Sequence, residues 1–206
     1  ADKFWAVEID KESVAYLNAT LPALSKNISG EDFLKIDLSQ KFSGKLAIIG
    51  NLPYNISSQI FFSILENRQS VTEVVAMVQR EVALRIAEKP GTRTYGILSV
   101  LLQAYYNINY LFTVSEGAFT PPPKVKSAVI RLTRNNTLQL SCNEELFLKV
   151  VKASFNQRRK TLRNSIRSGF ASVEISEKFA QKRAEQLSVA DFVELTNEVE
   201  MFINKA

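Results

Sequence analysis

The stretch Leu46-Ala47-Ile48-Ile49-Gly50-Asn51-Leu52-Pro53-Tyr54-Asn55-Ile56-Ser57-Ser58 decides how this chain is read. It opens on an uninterrupted apolar run, which Gly50 and a proline-containing turn then close, the pattern of a buried strand that stops abruptly. In open α/β sheets, ligands sit at that carboxyl edge. Pro53 fixes its own φ and biases Leu52 toward an extended conformation, so the Leu52 carbonyl is expected to leave the strand end as a free acceptor. Asn51 adds an amide oxygen and Tyr54 a flat ring. Two acceptors beside a π face suit the exocyclic amine of a planar base, the acceptors holding its N–H groups while the ring stacks. A plain strand-to-helix turn is the competing explanation, and four residues alone do not choose between the two.

Upstream, Phe4-Trp5-Ala6-Val7-Glu8-Ile9-Asp10 reads as an apolar strand ending in acids, followed by a helical pattern over 13–24. In nucleotide-binding α/β folds an acid at the end of the second strand receives ribose hydroxyls. Glu8 is the candidate for that role, with Ile9 packing on an adenine, whereas Asp10 is better explained as a helix cap. A second short strand and a polar corner follow in Asn27-Ile28-Ser29-Gly30-Glu31-Asp32-Phe33-Leu34, where an Asx turn is the plain explanation for Asp32.

Downstream, Ile60, Phe61, Ile64 and Leu65 recur at helical spacing, as a core face does. A strand over 71–79, a helix over 80–88, a basic loop over 89–94 and a helix from Tyr95-Gly96 to about Gln103 come next. Two antiparallel strands are expected over 105–114 and 125–133. Strands alternating with helices in this order predict an α/β fold, a mostly parallel sheet with both faces covered and an antiparallel final strand. Between the last two strands, Phe119-Thr120-Pro121-Pro122-Pro123-Lys124-Val125 cannot join a ladder and forms a stiff strut. It holds Phe119 where it could cover the second face of a base already covered by Tyr54; a loop aromatic capping the core is the alternative.

After a polar cluster at Arg134-Asn135-Asn136-Thr137 the periodicity becomes purely helical, which places a domain boundary between 1–134 and 135–206. Asn143 reads as a helix start, with Phe147, Val150, Val151 and Ser154 or Phe155 as the buried stripe. From Phe155 to Ser165 and beyond, Leu162 and Ile166 face inward while Arg159, Arg163 and Arg167 align outward, predicting one amphipathic helix with an arginine-rich face. Helices over 176–186 and 189–204 complete a small bundle. Between Lys124 and Arg167 lie eleven basic residues against two acids, Glu144 and Glu145, a footprint for phosphates or else a solvated face.

Composition narrows the chemistry. With 206 residues, 46% hydrophobic and 23% charged, the chain can bury a sizeable core, and its net charge is +5. No apolar run approaches membrane-spanning length and no leader pattern opens the sequence, so a cytoplasmic protein is expected. One cysteine and no histidine exclude an internal disulfide, make a zinc site unexpected and remove Ser-His-Asp and Cys-His catalysis. Methyl transfer from a sulfonium donor fits, because it needs positioning more than a general base.

Taken together, Glu8, Asp32, Asn51-Leu52-Pro53-Tyr54-Asn55-Ile56-Ser57, Tyr95-Gly96, the triple-proline segment and Phe155-Asn156-Gln157-Arg158-Arg159-Lys160-Thr161-Leu162-Arg163 closely resemble the KsgA family of small-subunit rRNA adenine dimethyltransferases. The resemblance implies a Rossmann-like class I methyltransferase sheet with a small C-terminal helical domain. It also implies S-adenosylmethionine as cofactor and conversion of two adjacent adenosines near the 3′ end of small-subunit rRNA to N6,N6-dimethyladenosine. The substrate would be an immature 30S-type subunit, and the enzyme a monomer without metal or membrane partner. By this resemblance Asn51, Leu52 and Pro53 build the amine site and Tyr54 and Phe119 sandwich the base. Glu8, Ile9, Asp32, Phe33 and Asn51 hold the cofactor, Asp32 through its adenine amine; Lys124, Arg158, Arg159, Lys160, Arg163 and Arg167 grip RNA. The family's Gly-rich loop, which follows its first strand, has no counterpart among the seven glycines here, none in a Gly-x-Gly pattern. The expectation is an N-terminally incomplete chain that binds cofactor poorly. Alternatives are a catalytically silent RNA-binding or ribosome-assembly module and the related resistance methyltransferases acting on large-subunit rRNA.

Overall fold

The computed structural model describes residues 4–205. Strand β1 (Ala6–Val7), helix α1 (Lys11–Thr20) and strand β2 (Ile28–Ser29) come first, β1 and β2 pairing in parallel. Asp10 caps α1 as expected, its carboxylate accepting from Ser13 N at 2.8 Å. The helix is shorter than the expected 13–24: Leu21 ends it and Pro22, lacking an N–H, opens a separate 3-10 turn over Pro22–Asn27.

A short helix α2 (Leu38–Lys41) leads into β3 (Leu46–Asn51), α3 (Ser57–Glu66), β4 (Val71–Gln79), α4 (Arg80–Ala87), α5 (Ile97–Gln103), β5 (Tyr106–Val114) and β6 (Ser127–Arg134). The second sheet has the order β3-β4-β6-β5, with β3 parallel to β4 and β6 antiparallel to both of its neighbours. Three strands therefore run one way and the last in sequence opposes them, the expected arrangement. β4 lies inside the sheet and reads accordingly, with Val71, Val74, Ala76 and Val78 fully buried. On α3 the buried face is the expected one, Ile60, Phe61, Ile64 and Leu65. Among the described residues the two sheets share no ladder, and β3 is paired on one side, leaving Ile49 80% exposed.

The register fixes one edge of this sheet. Asn51 lies opposite Met77, Gln79 opposite Ser127, and Ser127 opposite Val114. The ends of β3, β4 and β5 and the start of β6 thus share a border. The segment from Phe119 to Lys126, with Thr120–Pro121 cis, reaches this border just before Ser127.

Beyond Arg134 the chain is helical: α6 (Glu144–Asn156), α7 (Leu162–Gly169), α8 (Glu177–Ala180) and α9 (Val189–Ile203). Asn143 caps α6 through Leu146 N, and Phe147, Val150, Val151, Ser154 and Phe155 form its buried stripe, as expected. Two expectations need correction. Gln157 to Thr161 break the single arginine-faced helix that spacing predicts, so Arg159 sits in a turn and Arg163 and Arg167 lie on α7. Leu162 N, which opens α7, donates to Lys182 O at 2.8 Å, a tertiary bond that helical spacing does not reveal. The helix expected over 176–186 is likewise α8 followed by a 3-10 turn at Ala184–Gln186.

Helical and sheet-bearing parts share one core. α5 is mostly apolar, with Leu98, Ser99, Val100, Leu101 and Leu102 buried, as a helix covered on most sides is. Tyr95, just before it, packs 6.4 Å from Phe155 of α6, which lies 6.0 Å from Phe192 of α9. Glu144 accepts from Arg68 at 2.5 Å and from the Tyr105 hydroxyl at 2.8 Å across the same seam. In the loop before Tyr95, Gly91 has φ +104°, which admits glycine without strain, and its N–H donates to Glu185 O at 2.7 Å.

Candidate active site

β3 ends where its hydrogen-bonding pattern ends. Leu52 N still donates to Met77 O at 3.0 Å, which carries the strand's direction one residue further. The turn then closes through Ile56 N to Pro53 O at 3.2 Å, and Ser57 Oγ donates to Tyr54 O at 3.2 Å. At the strand's end, Asn51 and Leu52 keep polar groups that this turn does not use. Among the described residues neither the exposed Asn51 side-chain amide nor the Leu52 carbonyl has a hydrogen-bonding partner. The Leu52 side chain is buried and anchors the turn, so the carbonyl stands on a fixed base.

Tyr54 is half-buried, and its hydroxyl lies 2.5 Å from Ser127 Oγ, a contact spanning 73 residues of sequence. Phe119 is also half-buried, in extended backbone after the 3-10 turn Glu116–Ala118. The two rings do not stack on each other among the described aromatic pairs. The topology brings Asn51, Leu52, Pro53, Tyr54 and the Phe119 strut to the same sheet border.

The acids expected to meet a cofactor follow the two short parallel strands, Glu8 directly after β1 and Asp32 three residues after β2. Glu8 N donates to Ser29 O at 3.0 Å, and one Glu8 carboxylate oxygen accepts from Asp10 N at 2.9 Å. Asp32 accepts from Leu34 N at 3.0 Å, the Asx-type turn that competed with a ligand role. Each carboxylate is thereby oriented by its backbone and keeps a second oxygen without a partner among the described residues. Among the described residues neither forms an ion pair, unlike the adjoining Glu31, which holds Lys41. Ile9 is 64% exposed, an apolar face available to a ring. Phe33 follows Asp32 in a short 3-10 turn and packs against the core. Asp32 also lines an open groove of about 550 Å³ with Glu31, Lys35, Asp37, Gln40 and Lys41. Free acceptors on acids, an exposed apolar side chain and the Asn51 amide match what an adenosine moiety offers: ribose hydroxyls, an amine and a flat ring. These groups therefore fit the adenosine moiety of S-adenosylmethionine.

The basic residues divide into two groups. Arg131 pairs with Glu73 at 2.7 Å, Arg134 donates to the Tyr105 and Thr137 carbonyls, and Lys152 sits over the Phe62 ring at 5.4 Å. Arg158 forks onto the Arg93 and Tyr95 carbonyls, and Arg163 pairs with Glu177, so both RNA-gripping candidates already have partners. Lys124, Lys126, Lys149, Arg159, Lys160 and Arg167 are exposed and have no side-chain partner among the described residues. Sequence reasoning misses Ser127, whose only local signal is a small polar residue where the strut becomes a buried strand. No cluster of potential metal ligands occurs among the described residues, and none of their helices is long and apolar enough to cross a membrane.

The model of the family described as "Ribosomal RNA adenine dimethylase" matches residues 1–201. A protein of Bacteroides thetaiotaomicron named ribosomal RNA small subunit methyltransferase A is 56% identical over 203 residues, covering 97% of this chain and 76% of its own. Its namesake in Cytophaga hutchinsonii is 56% identical over 192 residues, covering 93% and 74%. A solved dimethyladenosine transferase of Plasmodium falciparum has a TM-score of 0.75 at 20% identity, covering 100% of this chain and 83% of that one. The solved 23S rRNA methyltransferase ErmE has a TM-score of 0.65 at 21% identity, covering 97% and 83%. At these identities both structures speak for the fold alone.

Proposed function

Because the chain belongs to the ribosomal RNA adenine dimethylase family, we propose that methyl transfer to the N6 amine of adenosine takes place where β3 ends. The protein is an S-adenosylmethionine-dependent small-subunit rRNA adenine dimethyltransferase. The observation that supports this location is the pair of unused groups, the Asn51 amide and the Leu52 carbonyl, beside the tethered ring of Tyr54.

Asn51 Oδ1 and the Leu52 carbonyl oxygen accept the two N–H groups of the target amine, which leaves the nitrogen lone pair a single open direction. Tyr54 covers one face of the extruded base and Phe119 the other. Stacking is worth about 1 to 3 kcal/mol per base, similar to the few kcal/mol that extrusion costs, so the two rings offset the flip. S-adenosylmethionine, when bound, supplies a sulfonium methyl whose transfer leaves a neutral thioether. Glu8 takes the ribose hydroxyls, Asp32 the adenine amine, and Ile9 and Phe33 the ring. Asn51 serves both sites. The methylated nitrogen is strongly acidic and gives its proton to water, consistent with a chain that has no histidine. After the first transfer one N–H remains, so one of the two acceptors loses its partner before the second.

We read residues 1–134 as the methyltransferase part and 135–206 as the rRNA-binding part, working as a monomer on an immature small subunit in the cytoplasm, where ribosomes are assembled. Lys124, Arg159, Lys160 and Arg167 are among the cations free to meet phosphates, while Arg158 and Arg163 would act at the same surface through the geometry they hold. The substrate assigned is the pair of adjacent adenosines near the 3′ end of small-subunit rRNA. The test incubates the full-length protein with S-adenosylmethionine and small subunits from cells lacking this modification, then maps stops by primer extension. A block at the 3′-terminal hairpin is expected; modification confined to large-subunit rRNA would overturn the assignment.

A further inference from the structure

Tyr54 is a wall of the proposed base site, yet it sits in a turn, where a ring would ordinarily be free to rock about its side-chain torsions. Its backbone is fenced by the Leu52 N to Met77 O bond on one side and by Ser57 Oγ on the other. The tip of the ring is held as well, by the 2.5 Å contact with Ser127 Oγ. Ser127 is fully buried and lies in the ladder between Gln79 and Val114, while the preceding Lys126 carbonyl accepts from Arg80 N at 2.9 Å. The hydroxyl therefore belongs to the rigid sheet. It also stands just after the proline strut that carries Phe119.

We propose that Ser127 is a positioning residue of the methyl transfer: through Tyr54 it fixes the plane of one base-stacking wall relative to the sheet and to the strut bearing the other. The inference rests on the assignment of Tyr54 as a wall of the base site. Ser127 itself touches neither base nor cofactor, so its loss acts on alignment. Misplacement of reacting atoms by about 1 Å can cost on the order of a hundredfold in rate. A tenfold loss of rate corresponds to about 1.4 kcal/mol, the upper end of what one neutral hydrogen bond is worth. The second transfer is the more sensitive step. Once one N–H has become N–CH3, a single acceptor holds the nitrogen, and the stacked ring carries more of the alignment.

The experiment compares full-length wild type, Ser127→Ala, Tyr54→Phe and the double variant on small subunits lacking the modification, in single turnover, with nucleoside mass spectrometry separating N6-methyladenosine from N6,N6-dimethyladenosine. Ser127→Ala is expected to slow the first transfer about tenfold and the second by more, so that the monomethyl product accumulates, with subunit binding unchanged. Tyr54→Phe should match it, and the double variant should be no slower than either, because all three remove one bond. An active wild type with Ser127→Ala of equal rate and product ratio overturns the proposal, as does a double variant showing the product of the two single losses. A wild type inactive on small subunits overturns the assignment of the site, and this proposal with it.

Discussion

Gly169 ends α7 against α6, and a Cβ built on it would lie 2.7 Å from the Cβ of Ala153. Ordinary contact between such atoms begins about 1 Å further out. Gly169→Ala must therefore part the two helices or bend the end of α7, and neither atom belongs to a flexible side-chain tip that could turn away. Overpacking of this kind costs about 1 to 3 kcal/mol, against a gain below about 1 kcal/mol from replacing a helical glycine. The net expectation is a loss of about 1 to 2 kcal/mol. For a chain of 206 residues that is a fall in Tm of about 2 to 8 °C. Thermal and urea melts of Gly169→Ala, Ala153→Gly and the double variant measure it. Ala153→Gly opens space across the interface, so the double variant should be less destabilised than the sum of the two singles. A Gly169→Ala protein as stable as wild type, or strictly additive losses, would refute the close-packing argument.

Asn51→Ala should abolish methyl transfer while binding to the small subunit persists, checked by filter binding beside a transfer assay; retained transfer would remove the amide from the site. Replacing Arg159, Lys160 and Arg167 with alanine should weaken rRNA binding and flatten its log–log salt dependence by about 0.7 to 0.9 for each phosphate no longer neutralised. Arg163→Ala, whose charge is already shared with Glu177, should alter the slope less. Burial pushes the Tyr106 phenol up to about 12, and burial also raises Tyr95 and Tyr105, helped by Asp191 and Glu144 respectively. These phenols ionise more readily unfolded, near pH 10, than folded. Their contribution to stability is thus fully present below about pH 10 and is lost as pH rises through the folded values. Denaturant melts at pH 9 and pH 11 should differ accordingly, and a flat profile would contradict the burial of these rings.

Much of this molecule can be read from local sequence because its elements are punctuated locally. Gly50 and Pro53 stop β3, β4 is a valine-rich run between turn residues, and Asn143 with the stripe from Phe147 to Phe155 defines α6 to the residue at its start. The free Asn51 and Leu52 acceptors follow from the same punctuation. The features that local sequence misreads depend on partners distant in the chain. Leu162 and Ile166 keep helical spacing with Arg159, Arg163 and Arg167, so periodicity runs on through a turn that only Lys182, on another segment, reveals. Arg158 looks like a hand held out for phosphate, yet the Arg93 and Tyr95 carbonyls occupy it. The tether on Tyr54 is invisible for the same reason, its partner lying 73 residues away.

The ring cluster of Tyr95, Phe155 and Phe192 ties the fate of both halves together. A lesion anywhere along it, in the helices as much as near the sheet, lowers the folded fraction of the whole chain. In a living cell a loss of about 1 to 2 kcal/mol can change protein abundance several-fold through quality control. Complementation by a helical-part variant therefore scores dosage together with the rRNA binding proposed for that part, and such alleles are interpretable once the amount of intact protein has been measured alongside growth.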